Sequence, residues 1–190
     1  MHLRARVGIA GGPPPRFEFP MTPPKKVTLL PCACGRVVLE TTGAPLLTAC
    51  CYCDDCQEGA RRIEALPGAP AVLTADGGTE LVLYRKDRVR CARGAELLRP
   101  LKLQEQSVTN RFVATCCDTA MYLGFDKGPH WVSVYRTRFA DAAPPIQLRV
   151  QTKFRPANSP LPDSVPTYPG YPLRFMVKLV GARLAMWLGR

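Results

Sequence analysis

The placement of nine cysteines constrains this chain more than any other feature. They fall in three groups, Cys32-Ala-Cys34-Gly35, Cys50-Cys51-Tyr52-Cys53-Asp54-Asp55-Cys56 and Cys116-Cys117, with Cys91 standing alone. Thiolates bind Zn²⁺ at about 2.3 Å in a tetrahedral shell, so ligands come in local pairs that bend back on themselves and are completed by a distant strand or loop. Two C-x-C units, a C-x-x-C and an adjacent pair meet that requirement, and Gly35 permits the tight bend after Cys34. Disulfides account for the set less well. Nine is odd, and Met1 to Arg16 contains no apolar run of the roughly 7 to 15 residues that a secretory signal needs. A cytoplasmic, reducing location with zinc as the cofactor is therefore the expectation.

The rest of the composition sorts by position. The formal net charge is +11, yet residues 31–140 carry 14 basic against 12 acidic side chains, so the surplus lies in the two ends. A phosphate-binding groove needs Lys and Arg clustered on a folded surface, so no specific nucleic-acid partner is expected. Proline follows the same split, with 6 of the 20 in residues 1–30 and 8 in residues 141–190. This divides the chain into a disordered basic, proline-rich tail over 1–26, a zinc-binding β domain over 27–140, a proline-rich arm over 141–172 and a C-terminal amphipathic helix over 173–190. Met21 opens a segment that reads as a start, with residues 1–20 as an upstream extension.

Between residues 27 and 135 short β-branched runs alternate with turn signals. Strands are expected at Val27–Leu30, Arg36–Thr42, Ala71–Thr74, Thr79–Tyr84, Leu97–Leu103, Arg111–Thr115, Met121–Phe125 and Val132–Tyr135, with a hairpin turn at Asp76-Gly77. Helical spacing is limited to Asp54–Leu66 and Leu173–Leu188, so the core is mainly β. The latter helix is too short and too charged to span a bilayer. Three surfaces are open to it: the protein's own core, a second subunit, or a membrane surface.

Cys32-Ala-Cys34-Gly-Arg-Val-Val-Leu39, then Cys51-Tyr-Cys53-Asp-Asp-Cys56-Gln57, then Cys117 ahead of Ala120-Met121-Tyr122, in that order and at those distances, resemble the glutathione-dependent formaldehyde-activating enzymes, a family that includes the centromere protein V group. The resemblance covers roughly residues 28–135. It implies an Mss4-like β fold with two zinc ions per chain: a structural site using Cys32, Cys34 and Cys117, and a catalytic site of Cys51, Cys53 and Cys56. Where the family closes its first site with a C-x-x-C and a glycine, this chain has Ala114, an extra Cys116, and Asp118. Tyr52 stands where histidine is common.

Geometry bears on two of these positions. Consecutive side chains of a strand point to opposite faces, so Cys116 and Cys117 share a metal only if the chain turns between them. Otherwise a three-ligand site, a vicinal disulfide or no metal remains. By the same rule Cys50 points away from Cys51, which leaves the second site with three thiolates and an open position. Three thiolates on Zn²⁺ carry a net charge of −1, suited to holding a soft thiol such as glutathione as its thiolate. That thiolate would face an electrophilic carbon such as formaldehyde, and the reverse reaction is carbon–sulfur cleavage.

Other candidates have two readings each. Arg61 and Arg62 either pair with the carboxylates of such a tripeptide or lie on a solvated helix face. Asp54 and Asp55 tune the site from outside the ligand set. Tyr52 donates a hydrogen bond or packs, His130 is structural or catalytic, and Cys91 is activated by neighbouring arginines or half-buried in a strand. Two functions follow: a zinc-dependent carbon–sulfur lyase acting on a thiol adduct, or a non-catalytic zinc-stapled module that uses its basic tails and terminal helix to bind a partner or an anionic surface.

Overall fold

The computed structural model describes residues 26–157 and 164–189; the tail expected over 1–26 lies, but for Lys26, outside them. The strands are β1 (Val27–Pro31), β2 (Val38–Thr42), β3 (Leu47–Cys51), β4 (Thr79–Arg85), β5 (Val89–Arg93), β6 (Leu98–Leu101), β7 (Thr109–Ala114), β8 (Thr119–Phe125), β9 (Trp131–Tyr135) and β10 (Leu148–Val150). Two α-helices accompany them, α1 (Asp54–Glu64) and α2 (Leu173–Trp187). The fold is mainly β, as expected.

A seven-stranded sheet in the order β10-β3-β4-β9-β8-β7-β6 forms the middle layer. Its central strands are apolar on both faces, and the alternation of β4 shows why. Leu81 and Leu83 enter one core cluster, with α1 and α2, while Val82 and Tyr84 enter a second. That second cluster lies against a three-stranded sheet ordered β1-β2-β5, through Leu30, Val37 and Leu39. The layers therefore run small sheet, large sheet, helices.

α2 docks through Phe175, Leu179 and Ala182, spaced four and three residues apart so that they form one buried stripe. His130 is buried beneath it, its Nε2 2.6 Å from the Leu179 carbonyl oxygen, and Lys178 Nζ reaches the Leu46 carbonyl at 3.5 Å. Of the three surfaces open to this helix, its inner stripe takes the protein's own core.

Several elements depart from the sequence expectation for identifiable reasons. Ala71–Thr74 gives only the isolated bridge Leu73–Thr79, because the Glu64 carboxylate accepts the backbone N–H groups of Val72 and Leu73 at 2.6 and 2.7 Å. A side chain has taken the donors that a ladder would use. The proline-rich arm, expected to lack regular structure over most of its length, supplies β10, which pairs in parallel with β3 between Pro145 and Pro156. β3 itself, Leu-Thr-Ala-Cys-Cys, carries little β signal in its sequence and is a strand because both its neighbours are strands.

Candidate metal centres and the cavity beside them

The first cysteine group is assembled across the fold. After β1 the chain bends, with Gly35 at φ +75° and its N–H bonded to the Cys32 carbonyl at 2.9 Å, which turns Cys32 and Cys34 to the same side. The β7–β8 connection brings Cys116 and Cys117 against them. The chain does turn there: Cys117 N–H bonds the Ala114 carbonyl at 3.2 Å, and Asp118 takes φ +50°. Asp118 thus fills a left-handed position that glycine would otherwise favour, and its carboxylate accepts from Gly68 N–H at 3.1 Å.

The four sulfurs lie within 4.8 Å of one another. Measured pairs are 3.6 Å for Cys32–Cys34, 3.3 Å for Cys34–Cys116, 3.8 Å for Cys32–Cys116 and 3.8 Å for Cys116–Cys117. A tetrahedron with 2.3 Å arms has edges of about 3.8 Å, so the group can hold a metal ion with modest adjustment. Outer contacts orient the donors: Val37 N–H points at Cys32 Sγ from 3.2 Å, and the Thr119 hydroxyl lies 3.0 Å from Cys117 Sγ while accepting from Ala33 N–H at 3.1 Å. All nine cysteines are free thiols, which excludes the vicinal disulfide in this conformation.

The second group is local. Cys51 ends β3, Cys53 is the residue preceding α1 (φ −62°, ψ 153°), and Cys56 lies in the first helical turn, its N–H bonded to the Cys53 carbonyl at 3.0 Å. This strand-to-helix corner gathers three sulfurs within 4.8 Å, with Cys51 and Cys53 at 3.5 Å. The Cys53 thiol is held far below its usual range, first by a hydrogen bond from Cys51 and then by one from Cys56. The donors shift the opposite way: Cys51 is pushed up to about 12, and Cys56 also rises. A cation would relieve this shared charge.

Tyr52 between them points elsewhere, its hydroxyl donating to Asp76 at 2.8 Å. Cys50 goes with it. Its sulfur lies 2.3 Å from where a Cβ at Gly78 would be, and burial pushes its thiol up to about 11. The expected separation of Cys50 from Cys51 therefore holds, and Gly78 is the residue that makes room for it.

The two groups sit on opposite sides of the large sheet, Cys51 in the helical-side core and Cys32 in the core between the sheets. The three-cysteine group opens onto a cavity of about 350 Å³, bounded by the sheet, the start of α1 and the inner stripe of α2. Apolar side chains form most of its wall, with Thr109, Ser133, Asp55 and Arg111 among the polar ones.

Arg111 was not among the residues that the sequence pattern singles out, for it stands in β7 as one cation in an apolar run. It is 2% exposed, and its guanidinium lies against Gly59 so closely that a Cβ there would be 1.8 Å from Nε. Its Nη2 donates to the Asp55 carbonyl oxygen, and among the described residues no carboxylate pairs with it. Tyr171, from the end of the proline-rich arm, was equally silent. Its ring lies 5.1 Å from that of Phe175 at a tilt of 31°, and its phenol is pushed up by burial and then by the nearby sulfurs of Cys51, Cys53 and Cys56.

The remaining candidates are settled by their surroundings. Arg61 and Arg62 are exposed and pair with Glu58 at 3.3 and 2.7 Å, the solvated-face reading. Asp54 and Asp55 lie at the start of α1, and only Asp55 borders the cavity. Cys91 is half-buried in β5, its thiol raised by burial and donating to the Arg93 carbonyl at 3.1 Å, with no sign of activation. His130 is buried against α2 through its contact with the Leu179 carbonyl, which fits the structural reading.

Among the described residues no helix is long and apolar enough to cross a membrane. Comparison with known proteins adds a family: the model described as "Family of unknown function (DUF6151)" matches residues 24–190. No curated protein matches the chain. A crystal structure of a protein from Rhodobacter sphaeroides is similar over 60% of this chain and 88% of that one, at 19% identity and a TM-score of 0.42.

Proposed function

The chain belongs to the DUF6151 family, and for this member we propose a two-zinc protein that binds a small thiol at its three-cysteine centre and makes or cleaves a carbon–sulfur bond there. One observation carries the reading: the three sulfurs of Cys51, Cys53 and Cys56 converge at the wall of an apolar cavity of about 350 Å³. Donor sets made wholly of cysteine suit zinc and exclude the hard cations magnesium and calcium. Nine free thiols, two groups of them clustered, suit the reducing cytoplasm.

In this reading Cys32, Cys34, Cys116 and Cys117 staple the fold, and Cys51, Cys53 and Cys56 hold the working ion. When bound, that ion supplies a soft Lewis-acid centre that favours the thiolate form of an incoming thiol. Arg111 balances the net negative charge of the three-thiolate set from the cavity wall. Tyr171, protonated, stands over the sulfurs as a hydrogen-bond donor, and α2 keeps bulk water from the apolar side of the site. A glutathione-type adduct is the substrate that the resemblance to the formaldehyde-activating family implies.

The test is metal analysis joined to spectroscopy. The protein is expected to hold two zinc ions per chain, one of which exchanges readily for cobalt and changes its absorption when a thiol is added. Two ions that both resist exchange and ignore thiols would refute the proposal. They would favour the second reading, a zinc-stapled binding module. One observation speaks for that alternative: the outer side of α2 leaves Val177, Val180, Leu184 and Trp187 between 55% and 84% exposed.

A further inference from the structure

The cavity next to the three sulfurs has a chemistry of its own. Leu81, Leu123, Phe125, Trp131, Phe175 and Leu179 make it apolar on the sheet side and beneath α2. Its volume, about 350 Å³, is at the low end of small-molecule sites. Into this wall the fold places one cation, Arg111, almost wholly buried and without a carboxylate among the described residues to neutralise it. The three-cysteine group carries the nearby opposite charge, and the guanidinium N–H donors on the cavity wall still need acceptors. Arg111 has five N–H donors and uses one on the Asp55 carbonyl oxygen. β7 holds its backbone between β6 and β8, and the bare Cα of Gly59 lets the guanidinium pass along α1.

We propose that Arg111 is an anion-recognition residue, and that the ligand of this centre is an apolar thiol bearing a single carboxylate or similar anion: its sulfur meets the three-cysteine centre, its anion meets Arg111, and its hydrocarbon body fills the cavity beneath α2. This rests on the thiol-binding reading above and narrows it. Glutathione is a poor match to the cavity wall, since it brings two carboxylates and an ammonium to a surface that offers one cation and, in Asp55, one acid. Each group left unpaired there would cost its desolvation. The half-exposed Tyr171 and Met176 form the outer rim through which such a molecule would enter.

The experiment uses full-length protein with cobalt in the exchangeable site and follows its absorption while three thiols are titrated. They are 3-phenyl-2-sulfanylpropanoate, 2-phenylethanethiol, which lacks the carboxylate, and glutathione. The first should bind about tenfold or more tightly than either of the others, as a single charge-assisted hydrogen bond formed in a dry site implies. In Arg111→Met the preference for the carboxylate should vanish: the ratio of 3-phenyl-2-sulfanylpropanoate affinity to 2-phenylethanethiol affinity should fall to about one. The ligand series on the unaltered protein decides the matter even where that variant does not fold. Equal binding of all three thiols, or tightest binding of glutathione, would overturn the role of Arg111 and leave the thiol centre standing. No spectral response to any of the three would overturn the thiol centre itself, and this inference with it.

Discussion

The two cysteine groups use the same donor atom for opposite ends, and the difference lies in how far apart in sequence their members are. Cys32 and Cys116 are separated by 84 residues, and their meeting ties the bend after β1 of the small sheet to the β7–β8 turn of the large one. Cys51, Cys53 and Cys56 lie within a single strand-to-helix corner. Closing a long loop removes more freedom from the unfolded chain than closing a short one. A metal in the first group therefore acts on the stability of the whole fold, while a metal in the second group constrains a corner that β3 and α1 already define. Position thus suits the first group to the stapling role we propose for it, and the second to the role of a binding site.

That contrast is open to direct attack. Cys117→Ser should have the largest effect, lowering the thermal midpoint by about 10 °C or more in calorimetry, because metal-site binding energy is folding energy for a long-range site. Next comes Leu179→Ala, which removes a core side chain that α2 places over the second group. It should cost about 2–4 kcal/mol in denaturant unfolding and raise the reactivity of the three-cysteine group toward a thiol reagent while leaving the four-cysteine group unchanged. Cys53→Ser should lose one metal per chain with a midpoint shift of only about 3 °C or less. Equal collapse of Cys53→Ser and Cys117→Ser would erase the distinction.

The smallest effect belongs to Asp76, which anchors Tyr52 and so the chain between Cys51 and Cys53. Burial alone would raise its carboxyl, but hydrogen bonds from the Thr74 and Tyr52 hydroxyls outweigh it and hold the group below its ordinary value of 3.8. A depressed folded-state value stabilises the protein above the unfolded value and loses that stabilisation as pH falls through the folded one. Asp76→Asn should therefore flatten the acid limb of a stability profile below about pH 4 and change little in the shape of the profile near neutrality. An unchanged acid limb would show that this anchor does not contribute.

Much of this was legible in the residues. Alternating β-branched runs announced most strands of the large sheet, and Gly35 and the C-x-x-C at Cys53 announced the bends that gather sulfurs. Misreadings came where a distant group intervened. Nothing local says that Glu64 will take the N–H groups of Val72 and Leu73, or that Leu148–Val150 in the proline-rich arm will find the free edge of β3. Arg61 and Arg62 stand out as a doublet, yet the cation that reaches the cavity is Arg111, alone in an apolar strand.

By itself the amino-acid sequence determined the local chemistry: three cysteines on one corner, two on one bend, and a strand alternation that puts Cys50 and Cys51 on different sides. Those outcomes depend only on bond geometry and the nearest neighbours along the chain. Tertiary structure alone decided that Cys116 and Cys117 both turn toward Cys32, that Arg111 lies beside α1, and that Tyr171 and α2 roof one cysteine group and not the other. These depend on which strands pair and which faces pack, long-range choices made by burying apolar surface over the whole molecule.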